Sequence, residues 1–216
     1  MQHDLSLNSG ERQVATAYSA IRADHRFRYE WANSRIPENG FGLDAFCGNG
    51  YGTWLLSKSR IVIGMDGSTD AIRQAEQHFK TPSNYFSVNY FPFDLPRQVF
   101  DFVVSLESIE HVADGGAFFD RLTACLKPGG HLVFSTPCED RLPHRMTGNH
   151  FHHKHYSLDE SLAMASSAQI ELLGWAGQDT YNFLADGRQG SLLPEDQMTL
   201  KPDETGQFII LHCRKR

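Results

Sequence analysis

The segment from Gly42 to Ser68 is rich in glycine and carries two aspartates: GLDAFCGNGYGTWLLSKSRIVIGMDGS. Gly48 and Gly50 follow a first apolar run, and Asp66 ends a second one. Glycine lets a backbone turn take positive φ, and it lets a ligand approach without meeting a Cβ atom. A carboxylate at the end of the next strand can accept hydrogen bonds from the two hydroxyls of a ribose. The spacing therefore predicts a nucleoside site, with a structural turn and a helix-capping aspartate as the alternative.

The pattern of this turn limits the kind of nucleoside. A phosphate-binding P-loop needs GxxxxGK[ST], which the sequence lacks. The dinucleotide fingerprint GxGxxG/A places its last small residue where this chain has Thr53. The turn reads GxGxG instead, at Gly48, Gly50 and Gly52, and Asp44 comes just before it. The dinucleotide fingerprint is therefore incomplete, and we expect the three glycines to open a backbone cradle for the ligand.

Alternating secondary structure is predicted to position this turn. Short apolar and aromatic runs alternate with helix-like stretches from Phe41 onwards, which predicts βαβ units and a mostly parallel sheet. Ligands of such sheets bind at the carboxyl ends of the strands, where the strand order reverses. The predicted strands are Phe41–Phe46, Arg60–Met65, Tyr85–Val88, Phe100–Leu106 and His131–Ser135, and the predicted helices between them are Thr53–Ser59, Thr69–Phe79 and Gly115–Leu126.

The chain that follows the fifth strand has a different pattern. Ser157 and Glu160 form a capping-box pattern, which predicts the start of a helix that reaches about residue 167. Two final strands are predicted at Ile170–Gln178 and Gln207–Arg214. The residues between them, 179–206, contain glycine and proline and are predicted to include an irregular excursion.

The N-terminal part is polar and aromatic, and a helix is predicted there at Ala15–Trp31. This segment could close over a ligand and exclude water. We therefore expect two units in the chain. Residues 1–39 form an N-terminal helical cap or substrate segment, and residues 40–216 form one α/β domain.

Composition excludes several classes of protein. The chain has 216 residues with 40% hydrophobic residues, enough for one domain with a full core. A net charge of −6 and the lack of a dense Lys/Arg block argue against a nucleic-acid partner. The apolar runs are too short for a membrane span, and the polar residues 1–13 do not fit a signal peptide. Four cysteines without a CxxC pair fit reduced thiols, and we expect a cytoplasmic protein.

Four motifs, in order, resemble those of class I S-adenosylmethionine-dependent methyltransferases. LDAFCGNGYGT resembles motif I, VIGMDGS resembles motif II, FDFVVSLESIEHV resembles the fourth strand and its loop, and LKPGGHLVFSTP resembles the turn and fifth strand. The similarity covers about residues 26–175. HRFRYEWA and NHFHHKHYSLDE also resemble a subgroup associated with surface-glycan and lipopolysaccharide gene clusters. The resemblance implies a Rossmann-like, seven-stranded, mostly parallel sheet with an antiparallel last strand and helices on both faces.

The resemblance also implies the cofactor, S-adenosyl-L-methionine, and residues that hold it. Asp44 and the glycine turn would hold the methionine end, whose cationic amino group suits a carboxylate. Asp66 would bind the ribose hydroxyls, and Asn89 stands where many members have an aspartate that accepts from the adenine amino group. The implied cofactor contacts are Asp44, Cys47, Gly48, Asn49, Gly50, Asp66, Gly67, Asn89, Leu106 and Glu107.

Two histidines are candidates for the catalytic chemistry. In-line methyl transfer needs the acceptor atom about 3 Å from the methyl carbon, and a base helps when the acceptor is a hydroxyl. Imidazole suits this role because its reference pKa is about 6.5. His152, in the histidine-rich stretch after the fifth strand, is the first candidate for acceptor contact or base, and His111 is the second. The alternatives are a structural hydrogen bond for His111 and a polar loop around His152.

Four further residues are expected to contact the acceptor: Arg28 and Tyr29 in the N-terminal segment, and His150 and Lys154 in the histidine-rich stretch. The alternative for the first pair is ordinary helix packing with the arginine in solvent. Two histidines at alternate positions could share a Zn²⁺ or Ni²⁺ ion. No cysteine or HExxH motif accompanies them, and transfer from a sulfonium needs no metal. We therefore expect no metal site.

The expected function is O-methylation of a glycan or small-molecule acceptor. The subgroup resemblance favours a sugar hydroxyl, and methylation of an isoprenoid quinone or another small molecule is the close alternative. The [DN]PPY motif of many nucleic-acid amino methyltransferases is absent, since residues 105–108 read SLES. An NAD-dependent oxidoreductase and a non-catalytic cofactor-binding module are the alternatives from other classes. The sequence predicts no oligomeric state.

Overall fold

The computed structural model describes residues 13–216, and the N-terminal stretch 1–12 lies outside the described part. The strands are β1 (Phe41–Ala45), β2 (Ile61–Asp66), β3 (Asn84–Val88), β4 (Phe100–Leu106), β5 (Leu126–Pro137), β6 (Ile170–Gln178), β7 (Tyr181–Phe183), β8 (Gln189–Leu192), β9 (Lys201–Pro202) and β10 (Phe208–Lys215). The α-helices are α1 (Ala23–Asn33), α2 (Tyr51–Leu56), α3 (Thr69–His78), α4 (Gly115–Cys125), α5 (His144–Thr147) and α6 (Leu158–Ala165).

Eight strands form the main sheet in the order β3-β2-β1-β4-β5-β10-β6-β9. β1 to β5 pair in parallel, while β10 runs antiparallel between β5 and β6. This confirms the predicted Rossmann-like sheet with an antiparallel last strand, and the two-residue β9 adds an eighth strand at the edge. The order reverses between β1 and β4, so a ligand site is expected where these two strands end.

The sequence explains why the helices start close to the strand ends. The Ser68 side chain caps α3 by accepting the Ala71 N–H, two residues after β2 ends. Asp114 caps α4 in the same way, and the predicted capping box of α6 is confirmed, with Ser157 and Glu160 exchanging hydrogen bonds with the backbone. In the described residues, no helix has the length and apolar character needed to cross a membrane.

The first α-helix begins later than predicted. A helix was expected from Ala15, but α1 starts at Ala23, after a short 3-10 turn at Tyr18–Ala20 and extended backbone at Ile21 and Arg22. The extended residues turn the chain so that Ile21 is buried, with 2% of its surface exposed. Burial of this side chain in the core outweighs the helix propensity of the preceding residues.

The segment 179–206 is partly regular. β7 and β8 form a separate two-stranded hairpin, a 3-10 turn follows at Glu195–Gln197, and β9 then pairs with β6. The predicted irregular excursion is therefore a hairpin that lies beside the main sheet. Tyr181 at its base and Gln189 in β8 line a cavity at the carboxyl ends of the central strands.

Two apolar clusters cover the two faces of the sheet. Helices α4 and α6 contribute to one cluster, and α1 and α2 contribute to the other. Tyr29, Ala32 and Ile36 are buried in the second cluster together with Val62 and Phe102 of the sheet. The N-terminal segment that the sequence analysis placed at 1–39 thus shares its core with the α/β domain from Ile21 onwards.

Candidate cofactor and acceptor site

A cavity of about 410 Å³ lies at the carboxyl ends of the central strands. Its volume is within the range of small-molecule sites, about 300–1,000 Å³. It joins the glycine turn after β1 with the loop after β4 and the histidine-rich stretch after β5. The sequence-predicted site residues that line it are Arg28, Tyr29, Cys47, Gly48, Leu106, Glu107, Asp66, His111, His150 and His152.

Gly48 and Asp66 form the part of the cavity expected to hold the cofactor. Gly48 has φ +56°, and a Cβ atom built on it would meet nothing within 4 Å, so its missing side chain leaves space at the cavity wall. The Gly48 N–H donates to Asp66 Oδ2 at 3.0 Å, and the Ser68 N–H donates to Asp66 Oδ1 at 2.8 Å. These two bonds fix the carboxylate beside the turn, where ribose hydroxyls would reach it.

Gly50 and Gly52 have a different role from the one expected. A Cβ atom on Gly50 would lie 2.6 Å from the Cβ of Ala75, and one on Gly52 would overlap the ring of Tyr29. Neither position is part of the cavity lining. The expectation that all three glycines open towards the ligand is therefore wrong, because two of them allow close packing against α3 and α1.

Asp44 is fully buried beneath the turn and does not line the cavity. Tyr29 donates to its Oδ1 at 3.0 Å, and Thr53 donates to its Oδ2 at 2.6 Å. Burial raises the pKa of Asp44 to about 7, although the two hydroxyl hydrogen bonds act in the opposite direction. Tyr29 reaches this carboxyl because Gly52 leaves room for its ring. The hydrogen bond between Asp44 and Tyr29 thus connects the buried base of the glycine turn to α1.

Four other predicted contacts are outside the cavity lining. Asn49 is buried and donates through Nδ2 to the Ala15 carbonyl at 2.8 Å. Asn89, expected near adenine, accepts the Tyr90 N–H on its Oδ1 at 3.0 Å. A Cβ atom on Gly67 would lie 2.9 Å from the Tyr90 ring. Lys154, expected at the acceptor, pairs with a carboxylate of α6, that of Glu160, at 2.6 Å.

Leu106 and Glu107, two of the expected cofactor contacts, border the cavity where β4 ends. Glu107 has φ +52° and is held by Ser135 of β5, whose hydroxyl donates to its Oε1 at 2.6 Å. The Glu107 N–H in turn donates to that hydroxyl at 3.0 Å. Burial raises the pKa of Glu107, and the nearby charge of Arg28 acts against that shift.

Arg28 is only 1% exposed and belongs to a buried ion-pair network that the sequence analysis missed. Its guanidinium contacts Asp24 at 3.2 Å and donates to Gln178 at 2.8 Å. Arg22 pairs with the same aspartate at 2.6 Å. Although burial opposes ionisation, the Arg22 hydrogen bond and the charge of Arg28 hold the pKa of Asp24 well below its usual range. The four-residue spacing of Asp24 and Arg28 places the two side chains next to each other on a helix, so the sequence could have predicted this ion pair.

A chain of hydrogen bonds fixes His152. Leu142 presents a carbonyl 2.7 Å from His155 Nδ1, so that nitrogen donates, and His155 Nε2 then accepts from His152 Nδ1, also at 2.7 Å. His152 Nε2 therefore carries a lone pair, which accepts the Asn149 amide N–H at 2.9 Å. Burial, followed by the neighbouring His111, lowers the pKa of His152 to about 2. His152 is thus neutral near pH 7 and is a weak base on its own.

His111 comes from another loop and meets His152 across the cavity. The two rings pack edge to face, with centroids 4.7 Å apart. His111 Nδ1 lies 3.3 Å from the Phe151 carbonyl, and His111 Nε2 lies 3.9 Å from the carboxylate of Glu110. Glu110 and Asn149 also line this end of the cavity, and the sequence analysis did not select them. The two predicted catalytic histidines are therefore brought together with a buried carboxylate.

The residues present fit the implied cofactor. One cavity connects the Gly48 and Asp66 end with the His111 and His152 end, so a nucleoside held at the first end and an acceptor held at the second would meet. Gly48 leaves space where a ligand must approach the backbone, and Asp66 provides a fixed carboxylate for hydroxyl groups. No Lys of a P-loop and no complete dinucleotide fingerprint is present in the sequence.

Comparison with known proteins agrees with this geometry. A family model described as "Methyltransferase domain" matches residues 17–179. A ubiquinone biosynthesis O-methyltransferase from Bradyrhizobium sp. is 40% identical over 79 residues, 35% of this chain. The match spans only 30% of the length of that relative.

Two solved structures share the fold. A SAM-dependent methyltransferase of Thermotoga maritima, described as a possible histamine N-methyltransferase, superimposes with a TM-score of 0.65 at 18% identity and covers 89% of this chain and 92% of its own. The N-methyltransferase NodS of Bradyrhizobium japonicum, in complex with S-adenosylhomocysteine, gives a TM-score of 0.65 at 17% identity, with coverage of 90% and 88%. Together with the family match, these similarities show that the chain belongs to the class I S-adenosylmethionine-dependent methyltransferases.

Proposed function

We propose that this chain transfers a methyl group from S-adenosylmethionine to a hydroxyl oxygen of a small molecule or of a sugar unit in a glycan. The cofactor, when bound, supplies the reactive sulfonium methyl. The observation that carries the proposal is a single cavity that joins a nucleoside end, at Gly48 and Asp66, with a histidine end, at His111 and His152. Such a cavity can hold donor and acceptor side by side, which is most of what methyl transfer requires.

The chain's own residues would divide the work between binding and orientation. Asp66 accepts the ribose hydroxyls while its two backbone hydrogen bonds hold it in place. Leu106 and Glu107 line the cavity where β4 ends. His152 Nε2 would accept the hydrogen bond of the acceptor hydroxyl in place of the Asn149 amide and so orient its oxygen. Because the pKa of His152 is low, this imidazole accepts the hydroxyl proton only during the transfer. By then the new bond from oxygen to the methyl carbon has made that proton strongly acidic.

A quinol or another phenolic small molecule is the second candidate acceptor. The similarity to a ubiquinone biosynthesis O-methyltransferase favours it, although the match covers about a third of this chain. The resemblance of NHFHHKHYSLDE to proteins of surface-glycan gene clusters favours a sugar hydroxyl instead. Both acceptors present a hydroxyl oxygen, so the same cavity chemistry serves either one.

The acceptor class can be tested with cofactor that carries an isotopic label in its methyl group. The purified chain would be incubated with this cofactor and fractionated cell extract. We expect label in a base-stable methyl ether within the small-molecule, lipid-linked or polysaccharide fraction. Label found only in protein or nucleic acid would contradict the proposal, and a boiled-enzyme control removes chemical methylation.

Substitution of His152 by glutamine should lower kcat by at least tenfold, because it removes the imidazole that orients the hydroxyl. S-adenosylhomocysteine affinity should change by less than threefold, since His152 is at the acceptor end. Steady-state kinetics and calorimetry measure the two effects separately. His153→Gln is the matched control, because its side chain is exposed in the same stretch and the substitution keeps the backbone N–H that donates to the Glu110 carbonyl. An unchanged kcat in H152Q would contradict the assigned role.

A further inference from the structure

Three side chains that can each donate a ligand atom to a metal ion meet at one point of the cavity: Glu110, His111 and His152. Each residue offers one ligand atom, and the three atoms lie within 4.8 Å of one another. A point between atoms spaced in this way lies within about 2.8 Å of each, while Zn–N and Zn–O bonds are about 2.0–2.2 Å long. Each donor therefore needs to move by less than about 1 Å to coordinate a common ion, which is a small side-chain adjustment.

The surrounding hydrogen bonds orient the two imidazoles for coordination. Histidine ligands of metals usually donate their second N–H to a carbonyl or another fixed acceptor. His111 Nδ1 lies 3.3 Å from the Phe151 carbonyl, which leaves Nε2 on the side of Glu110. The His155 relay to the Leu142 carbonyl fixes the His152 tautomer with its lone pair on Nε2. Each ring thus has a supported N–H on one side and a lone pair on the other. In the absence of an ion the His152 lone pair accepts the Asn149 amide N–H, which an ion would displace.

The carboxylate of the group is buried and its loop is anchored. Glu110 is 1% exposed, and its backbone carbonyl accepts the His153 N–H at 2.7 Å, which ties the loop after β4 to the histidine-rich stretch. A divalent ion between Glu110 and the two imidazoles would find its donors within 4.8 Å of one another, and the loops that carry them are already joined by a backbone hydrogen bond.

We propose that Glu110, His111 and His152 bind a divalent transition-metal ion of the Zn²⁺ type, and that the remaining coordination positions take the acceptor's hydroxyl oxygen. Two imidazoles and one carboxylate with open positions form a common catalytic metal set. The sequence analysis predicted no metal, because no cysteine or HExxH motif accompanies the histidines of that stretch. It did not consider His111 and Glu110 as ligands, which the fold brings from another loop. The role of the ion in catalysis rests on the proposed methyl transfer.

A bound metal ion would make the acceptor oxygen a better nucleophile. A bound divalent ion lowers the pKa of a coordinated hydroxyl, so the oxygen is present as an alkoxide or phenolate near neutral pH. With the ion bound, His152 Nε2 is a ligand, and the ion takes over from it the orientation of the hydroxyl oxygen. The hydroxyl proton then leaves to solvent, the oxygen forms its new bond to the methyl carbon, and the carbon–sulfur electron pair stays on sulfur. The class of acceptor that fits best carries a second oxygen beside the methylated one, as in a vicinal diol or a catechol, because two oxygens chelate one ion.

The experiment uses Co²⁺ as the probe, because its visible absorption reports coordination number and ligand type. The full chain is treated with a chelator, dialysed and titrated with Co²⁺ by absorption and by calorimetry. We expect one tight site per chain, with affinity at least about 100-fold lower in Glu110→Gln and His111→Gln, since each variant removes one ligand. Thermal unfolding of each variant shows whether it is folded at the titration temperature.

His131→Gln is the matched control. His131 and His212 form a close histidine pair outside the cavity, with ring nitrogens 2.7 Å apart. Stoichiometric binding that persists in H131Q and is lost in E110Q and H111Q would support the proposal. Binding that is lost in H131Q alone, or no stoichiometric binding to the wild-type chain, would overturn it.

S-adenosylhomocysteine titrations of the same samples separate this proposal from the proposed function. If the chain binds S-adenosylhomocysteine and methylates an acceptor but binds no Co²⁺, the metal site is wrong and the methyl-transfer assignment stands. If it binds Co²⁺ at the three residues but neither binds S-adenosylhomocysteine nor transfers methyl, the metal site stands and the proposed function fails.

Discussion

Replacement of Gly48 by alanine should weaken S-adenosylhomocysteine binding by tenfold or more. A Cβ atom at this position meets no protein atom within 4 Å and stands at the cavity wall, where the ligand must approach the backbone. A steric overlap with the ligand there would cost at least about 1.4 kcal/mol of binding free energy, which corresponds to a factor of ten. Isothermal titration calorimetry of wild type and variant measures the change.

Backbone strain has to be separated from this effect. Gly48 has φ +56°, and a side chain in that region costs about 1–2 kcal/mol of folding stability. Gly129 is the matched control, since it has φ +78°, meets nothing within 4 Å on substitution and lies outside the cavity lining. Both alanine variants should lower the unfolding free energy by a similar amount, and only G48A should lose ligand affinity. Equal affinities in the two variants would mean that Gly48 does not face the cofactor.

Substitution of Asp66 by asparagine should lower S-adenosylhomocysteine affinity by about 10- to 100-fold. A ligand hydrogen bond left unmade in a buried site costs about 1–3 kcal/mol, which corresponds to a loss of this size. The carboxylate accepts the N–H groups of Gly48 and Ser68 on its two oxygens. An asparagine would direct its NH₂ group towards one of these donors and would lose acceptor capacity for the ribose. Calorimetric titration of the folded variant checks the expected loss.

A dideoxy ligand makes this test specific to the ribose. An S-adenosylhomocysteine analogue without the 2′- and 3′-hydroxyls should bind wild type and D66N almost equally, because neither protein can use the missing groups. Asp70→Asn is the control on the neighbouring helix, where the side chain is half exposed and pairs with Arg73. An equal loss for both ligands in D66N would indicate a structural role for Asp66 instead of a ribose contact.

The sequence predicted most of the sheet because its strands carry strong local signals. β4 reads FDFVVSL and is buried over nearly all its length, as expected for a central parallel strand, and β6 spans the predicted Ile170–Gln178. The start of α1 was misplaced, because the burial of Ile21 depends on a tertiary contact. The hairpin of β7 and β8 was not resolved from the sequence, since both strands are short and partly exposed.

The site residues that lie at the end of a strand could be predicted from the sequence. Asp66 and Gly48 are adjacent because β1 and β2 pair in register and both end at the cavity. The role of Gly50 was not predictable, since its contact with Ala75 depends on the position of α3. Glu110 was missed for a similar reason. It is one of two carboxylates in LESIEHV, and its burial, which the sequence does not indicate, comes from packing of the loop against the histidine-rich stretch.

The central claim is that the turn at Gly48 and the carboxylate of Asp66 bind an adenosyl cofactor of methyl transfer. Its most direct test is calorimetric titration of the wild-type chain with S-adenosylhomocysteine and, in the same conditions, with NADH. We expect saturable binding of one S-adenosylhomocysteine per chain and no measurable binding of NADH. Binding of NADH without binding of S-adenosylhomocysteine, or binding of neither ligand, would contradict it.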